Sequence, residues 1–571
     1  MKTLLRYLKP FRKRMSLGFL VKLTATLLEL MLPYILSHIL KNVVSSQNVS
    51  KILLWGGLMV VCAGSACILN ITANRMAAKV SRNFTEQIRK DLFRHTLSLS
   101  AAQTDKFSIP SLESRITTDT YHVHNFVSMM QRMGVRAPIL LMGGIMITLI
   151  MDSFLALVMI AILPFIFVTV YFLSKNGRAL YTKVQSSVDG MVRVVREDAQ
   201  GIRVIKALSK NDYENRRYDK VNRQLSHDER KAGTIMGIIN PVMTLLMNFG
   251  ITAVVAMSAS RVAKGTSDPE TVIAFMQYFT LISMAMMSVS RIFVMYTKCA
   301  ASANRIAEVL NTPSEIEVTE GETIPTDKHI EFKNVSFSYL GKKNQLNDLS
   351  FALPKGGTLG IIGATGSGKT TVIKLLLRFY DIKQGEILIN GRNIKTIPKK
   401  ELTDMFGIVL QNDFLYADTI EENIDFGRGL SKEQITEAAK IAQANDFIVS
   451  FPDGYEHKLS SKATNVSGGQ KQRILLSRAV ATRPEILILD DSSSALDYKT
   501  DANLRQALKE NLTDSTVITI AQRVSSIKHC DLIIVLDHGN VIGMGTHDEL
   551  LNACAEYKEI SDSQMGGDFV D

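Results

Sequence analysis

The stretch TLGIIGATGSGKTTVIKLLLRF, residues 358 to 379, sets an apolar strand before Gly363, Ala364, Thr365, Gly366, Ser367, Gly368, Lys369, Thr370 and Thr371, and an apolar helix after them. Glycines at this spacing let backbone N–H groups close around the β-phosphate of a nucleotide. Lys369 then reaches the β- and γ-phosphates, and the Thr370 hydroxyl is placed to ligate Mg²⁺. Farther on, EILILDDSSSALD (485 to 497) supplies a buried strand ending at Asp490, an acid placed to hold that Mg²⁺ through water. Between the two, Ser467, Gly468, Gly469 and Gln470 open a helix, whose hydroxyl and backbone N–H groups make a second phosphate-binding end. A nucleotide cradled by one loop has no use for another in the same subunit. The second loop therefore serves a nucleotide on a different subunit, which demands a dimer.

Strand, loop, helix and buried strand call for an α/β domain, and it fills only the second half of the 571 residues, from 328 to 571. The preceding LNTPSEIEVTEGETIPTD, 310 to 327, has the Pro, Glu and Thr bias of a linker. Residues 1 to 309 are built differently. Crossing a bilayer takes roughly 20 apolar residues of helix, and such spans fall near 17 to 40, 52 to 74, 135 to 151, 154 to 174, 233 to 260 and 271 to 296. The third and fourth are joined only by Asp152 and Ser153, a tight hairpin. The charged segments 75 to 134 and 175 to 232 have few helix breakers, so they are expected to carry the membrane helices out into water and back.

The start, MKTLLRYLKPFRKR, has six Lys or Arg and no acid, and both long connections are basic while the short ones are not. The positive-inside rule then puts the amino terminus, the long connections and the ATP domain in the cytoplasm. The net charge of +11 is accounted for by this bias and calls for no nucleic-acid partner, although a basic face toward anionic lipid also fits. No cleavable signal is expected, because the basic start leads into a full-length span. Cys62, Cys67, Cys299, Cys530 and Cys554 have neither ligand spacing nor a pairing pattern and read as free thiols.

The order Tyr339, GATGSGKT, Gln411, VSGGQ, ILILDD, SALD and DHGNVIGMGTHDELL (537 to 551) resembles the ATP-binding domain of ABC transporters. With six spans ahead of it, nearly the whole chain resembles a half-transporter of the exporter type. The resemblance implies a six-helix membrane bundle with long cytoplasmic extensions fused to an α/β P-loop domain, using ATP and Mg²⁺. It implies that Tyr339 stacks on adenine, that Gln411 joins Thr370 and Asp490 around Mg²⁺ and senses the γ-phosphate, and that Asp497 crosses the dimer interface. It also implies short coupling helices near 109 to 122 and 200 to 214. Importers normally keep membrane and ATP-binding parts on separate chains, so fusion argues for export.

Two departures from the family pattern matter. The residue after the Mg²⁺-holding Asp is a Glu in the family and Asp491 here, its carboxylate about one C–C bond short of the attacking water. The following switch loop carries Gln522 in place of a His, and an amide hydrogen-bonds a phosphate without bringing positive charge to it. With the phosphate loop intact, both describe a site that binds ATP and turns it over slowly. The undamaged Ser467 to Gln470 loop should then serve a competent site whose Glu and His come from a second half-transporter. This resembles the degenerate-site subunit of bacterial heterodimeric multidrug exporters, set in a cell membrane. YEHKLSSKATN, 455 to 465, also lacks the acidic and glycine residues usual ahead of the signature. Two alternatives stay open: a homodimer with two slow sites, and an ATP-gated channel or regulatory subunit.

The membrane half says less about cargo, which an amphipathic drug, lipid or peptide would each satisfy. Glu29 lies inside the first span, where an acid marks either a counter-charge for a cationic substrate or a partner for Arg291 in the last span. Met284 and Met287 offer a soft wall for varied apolar ligands, or plain lipid-facing filler.

Overall fold

The computed structural model describes residues 2–264, 269–313, 318–339, 341, 343–411, 413–492 and 495–565. The chain packs as two units, Met1–Ser98 with Phe107–Thr312, and Leu99–Lys106 with Pro313–Asp571. The linker expected over 310 to 327 lies partly outside the described residues, at 314 to 317.

The described part of the first unit is built of helices: α1 (Arg12–His38), α2 (Val49–Ser98), α3 (Thr120–Met151), α4 (Ser153–Ala207), α5 (Asn211–Gly237), α6 (Ile239–Ala263) and α7 (Pro269–Leu310). All six expected apolar segments fall in helices. Among the described residues, five helical stretches are long and apolar enough to span a membrane, and Ser153–Ile166 is a shorter apolar run at the head of α4. Only 6% of the apolar window in α2 is buried within the protein, and Leu53, Leu54 and Val60 stand bare. Such a surface is stable only against lipid. Between α3 and α4, Asp152 turns the hairpin: its carboxylate accepts from Phe154 N at 3.0 Å and Leu155 N at 3.2 Å, capping α4. Inside, Leu30, Leu140, Met159, Tyr278, Phe279 and Ile282 form the core of the bundle. Gly144 lets α7 close in, since a Cβ there would lie 2.8 Å from Ile282.

Both polar connections continue the membrane helices, as expected. α2 runs to Ser98, and α4 and α5 pair as a long hairpin in which Ser187 donates to Asp228 at 2.7 Å and Arg217 bridges to Glu197. The first turn-back comes earlier than expected. The separate short helix is Ala101–Phe107, and residues 109 to 122 already belong to the returning helix. Ser108 breaks the chain at φ 63°, and Pro110 fits the first turn of the returning helix, where no donor is needed. At the second turn-back α4 ends at Ala207 and α5 begins at Asn211, so the expected 200 to 214 holds a turn at Leu208–Lys210 and no separate short helix. Where α3 begins, a wide turn over Arg115–Asp119 buries Asp119 at 1% exposure; it accepts from Ser302 at 2.9 Å and Arg305 Nε at 2.7 Å. That network fastens the foot of α3 to α7.

The second unit holds two sheets. β1 (Lys328–Phe337), β2 (Leu346–Pro354), β4 (Gln384–Ile389) and β5 (Arg392–Asn393) form an antiparallel sheet ordered β2-β1-β4-β5. The larger sheet is ordered β10-β9-β3-β8-β7-β6, with β3 (Thr358–Gly363), β6 (Phe406–Val409), β7 (Ile486–Asp490), β8 (Thr516–Ile520) and β9 (Leu532–Asp537) parallel. Strand β10 (Asn540–Gly545) closes its edge antiparallel to β9. β7 reads Ile-Leu-Ile-Leu-Asp because a central parallel strand is buried on both faces. Helices α8 (Lys369–Leu376), α9 (Gly468–Val480) and α10 (Tyr498–Asn511) complete the parts that position the site.

Candidate functional site

Four adjacent parallel strands end at one edge of the larger sheet, and the sequence places a motif at each end. Gly363 closes β3, Asp490 closes β7, Gln411 lies two residues past β6 and Gln522 two past β8. Ligands of open parallel sheets bind outside these carboxyl ends.

The phosphate loop is shaped by its glycines. At Gly363 a Cβ would stand 2.0 Å from the Leu536 carbonyl oxygen, and Gly368 turns into α8 at φ 106°, so side chains are excluded at both. Lys369 folds back over the loop, its Nζ donating at 2.8 Å to the carbonyls of Gly363 and Ala364. Burial pushes its ammonium below the usual lysine range, while Asp490 and Asp491 act against that shift. Two polar atoms here, Ser367 Oγ and Asp490 Oδ2, are buried without a hydrogen-bond partner among the described residues. Such orphans are costly unless something satisfies them.

Those orphans suit the nucleotide and its metal. Asp490 is 2% exposed; burial raises its carboxyl above the usual range, and a hydrogen bond with Thr370 works the other way. Thr370, Asp490 and the exposed Gln411 each have a side-chain oxygen to offer a cation, the donor type that Mg²⁺ prefers. A bound Mg²⁺ would neutralise phosphate charge there.

Beside them lie the two atypical residues. Asp491 sits at φ 54°, a left-handed position that Asp tolerates better than longer side chains, and its N–H donates to Ile520 O at 2.9 Å. Gln522 Nε2 donates to Asp491 Oδ2 at 3.1 Å. The two replacements are thus direct partners. Gln564, which no motif marks, fastens the same loop: its amide donates to Gln522 O at 2.9 Å and accepts from Val524 N at 2.8 Å.

The remaining predicted residues lie elsewhere in this unit. Ser467 and Gln470 form a reciprocal capping box at the head of α9, Ser467 Oγ accepting from Gln470 N at 3.2 Å, which leaves Gly468 and Gly469 to present backbone N–H groups. Asp497 caps α10 by accepting from Thr500 N at 3.1 Å, and the Thr500 hydroxyl and N–H hold its carboxyl below the usual range. The Tyr339 ring packs edge-on against Tyr380 with centroids 4.9 Å apart, and its hydroxyl lies 3.3 Å from Thr371 at the start of α8.

In the membrane unit the pairing of Glu29 differs from expectation. Its carboxylate is held by both forks of Arg136 on α3, Nε at 3.0 Å, and not by Arg291, which lies exposed on α7. The pair spans 107 residues, so only the packing of α1 on α3 makes it. Met284 is exposed and Met287 half-buried on α7.

Comparison with known proteins agrees with these motifs. Residues 15–286 match the family model for the ABC transporter transmembrane region, and residues 346–494 the model described as ABC transporter. The chain is 34% identical over 574 residues to the uncharacterized ABC transporter ATP-binding protein YfiB of Bacillus subtilis, covering 99% of each. It is 30% identical to the putative ABC transporter ATP-binding protein exp8 of Streptococcus pneumoniae, covering 99% of this chain and 97% of that one. Its fold is similar to a bacterial Atm1-family ABC exporter solved with ATP bound, at TM-score 0.83, 23% identity, and 98% and 99% coverage.

Proposed function

Because the chain belongs to the ABC transporter family and is an ATP-hydrolysing membrane transporter of the exporter type, we propose that it is the slow-site half of a heterodimer. In this reading two ATP molecules bind between the paired ATP domains, and an amphipathic substrate is carried outward across a bacterial cell membrane. The observation that carries it is the Asp491–Gln522 pair. A carboxylate one methylene short accepts a hydrogen bond from an amide, in the place where a base and a cationic partner are expected.

The chain's own loop binds the phosphates through the backbone of Gly363 to Gly368 and through Lys369. Thr370, Asp490 and Gln411 hold Mg²⁺. Ser467 to Gln470 lie at the head of α9, available to the partner's nucleotide, where a Glu and a His supply the missing chemistry. ATP binding favours the closed dimer and turns the membrane cavity outward; hydrolysis at the partner's site resets it. The amino terminus and ATP domain face the cytoplasm.

Isolation of the tagged chain from its native membrane tests this reading. The expected result is a one-to-one complex with a second half-transporter bearing Glu and His at the positions matching Asp491 and Gln522. Recovery of this chain paired only with itself would overturn it.

A further inference from the structure

The loop that carries Gln522 leaves β8 with Ala521 N donating to Ile361 O at 3.2 Å, and two residues past Gln522 it enters a short helix, α11 (Val524–Ile527). A helix start leaves N–H groups without partners inside the helix. Among the described residues Arg523, directly ahead of α11, makes no side-chain cap. The cap comes from the far end of the chain instead. Gln564 Oε1 accepts from Val524 N at 2.8 Å, and Gln564 Nε2 donates to Gln522 O at 2.9 Å. One amide thus straddles Arg523 and ties the backbone on both sides of it, as a neighbouring strand would.

Gln564 is delivered by a last helix, α12 (Ala555–Met565). Tyr557, Ser561 and Gln564 stand at i, i+4 and i+7 on one face of it, and the first two are 0% and 3% exposed. Tyr557 shares a buried cluster with Ile362, Ala521, Val524 and Ile527, and its hydroxyl lies 2.8 Å from His547 Nδ1. Ile362 immediately precedes Gly363, so this cluster underlies the phosphate loop and the Gln522 loop together. A second grip comes from α10, where Arg505 Nη1 donates to Ser525 O at 2.5 Å. Gln522 and Arg523 are themselves exposed. Packing therefore fixes the residues around them, and the Gln564 amide fixes the peptide between.

From this geometry we propose that Gln564 is a positioning residue for ATP turnover: it holds the backbone at 522 so that the Gln522 side chain meets Asp491 at the phosphate end of the site. Its two bonds go to backbone atoms, so it acts through residue 522. The Gln522 amide orients the Asp491 carboxylate, which it meets at 3.1 Å, and it is a donor available to charge developing on the terminal phosphate. Both uses need residue 522 in place, and a small misplacement at such a site is costly. The proposal concerns the hydrolysis of ATP as such and holds whichever partner the chain takes.

The test compares the full-length wild type in nanodiscs with Gln564→Met, which keeps the length and removes the amide, with Gln522→Ala, and with the two together. Single-turnover hydrolysis of radiolabelled ATP, with the chain in excess, resolves even a slow site. Gln564→Met should lower the maximal rate about tenfold and leave the concentration for half-maximal rate within about threefold, since the Lys369 loop is untouched. With Gln522→Ala already in place, Gln564→Met should change the rate by less than about twofold, because the side chain it positions is gone. A wild-type rate in Gln564→Met, or the same tenfold loss in the absence of Gln522, would overturn the proposal. Hydrogen exchange at the Val524 N–H reads the geometry apart from turnover. Gln564→Met should speed it at least about tenfold, and exchange as slow as in the wild type would refute the cap. Gln564→Glu still accepts from Val524 N and loses the donor to Gln522 O, so it should keep the slow exchange and lose turnover; wild-type turnover in that variant would count against the Gln522 bond.

Discussion

Exchanging Asp491 for Glu and Gln522 for His in the same chain should raise its own ATP turnover by about two to three orders of magnitude. In the wild type the carboxylate hangs from a left-handed backbone and accepts from the Gln522 amide at 3.1 Å. One added methylene extends it by about 1.5 Å. General-base help is worth about 10²- to 10⁴-fold, and each decade corresponds to about 1.4 kcal/mol of barrier, so about 3 to 5 kcal/mol is at stake. Each single exchange should recover less than its share, because the residues touch and their effects couple. Asp491→Glu alone leaves an amide donor on the new base; Gln522→His alone leaves the acid short. A small cost is expected as well, because Glu tolerates φ 54° less well than Asp, by about 1 kcal/mol. The assay is phosphate release by the purified chain in nanodiscs, beside nucleotide affinity, which should move by no more than about threefold since Lys369 and its loop are untouched. Wild-type turnover as fast as that of the double variant would refute the reasoning. Asp491 would then be an adequate base and a homodimer the better description.

Two further outcomes are expected from the same geometry. Burial raises the Asp490 carboxyl above its unfolded value, so the metal-free folded chain gains stability at low pH and loses it as pH rises through that window; Mg²⁺ must displace the proton, so Mg²⁺ affinity falls as pH drops through it. Asp490→Asn should abolish both trends in Mg²⁺ titrations and thermal melts across pH. In the membrane unit, Arg136→Met strands Glu29, whose side chain is 21% exposed, and should cost about 1 to 3 kcal/mol in thermal stability, discounted from the fully buried case. Adding Glu29→Met should return most of it, and a double variant as unstable as the single would show that the pair is not what matters there.

Much of the architecture was legible because its signals are local. A bilayer leaves helix as the sole form open to an apolar run of this length, so the membrane segments are readable from composition. Gly363 to Thr371 are readable because the phosphate-binding loop is contiguous and each residue type answers a steric or electrostatic demand. The sequence sets a short helix near 109 to 122, whereas the separate one is Ala101–Phe107; no Gly or Pro marks the break ahead of Pro110, which rests on one backbone angle at Ser108.

By itself, then, the sequence determined the two-part organisation, the helical spans, the phosphate loop, and the presence of Asp and Gln at 491 and 522. Each is a property of residue type and near spacing. Only the tertiary structure decided that those two side chains bond to each other, that Gln564 clamps their loop, and that Arg136 claims Glu29. The reason is physical: partners 31, 42 and 107 residues apart are chosen by how strands and helices are rotated and packed, and no local propensity encodes that rotation.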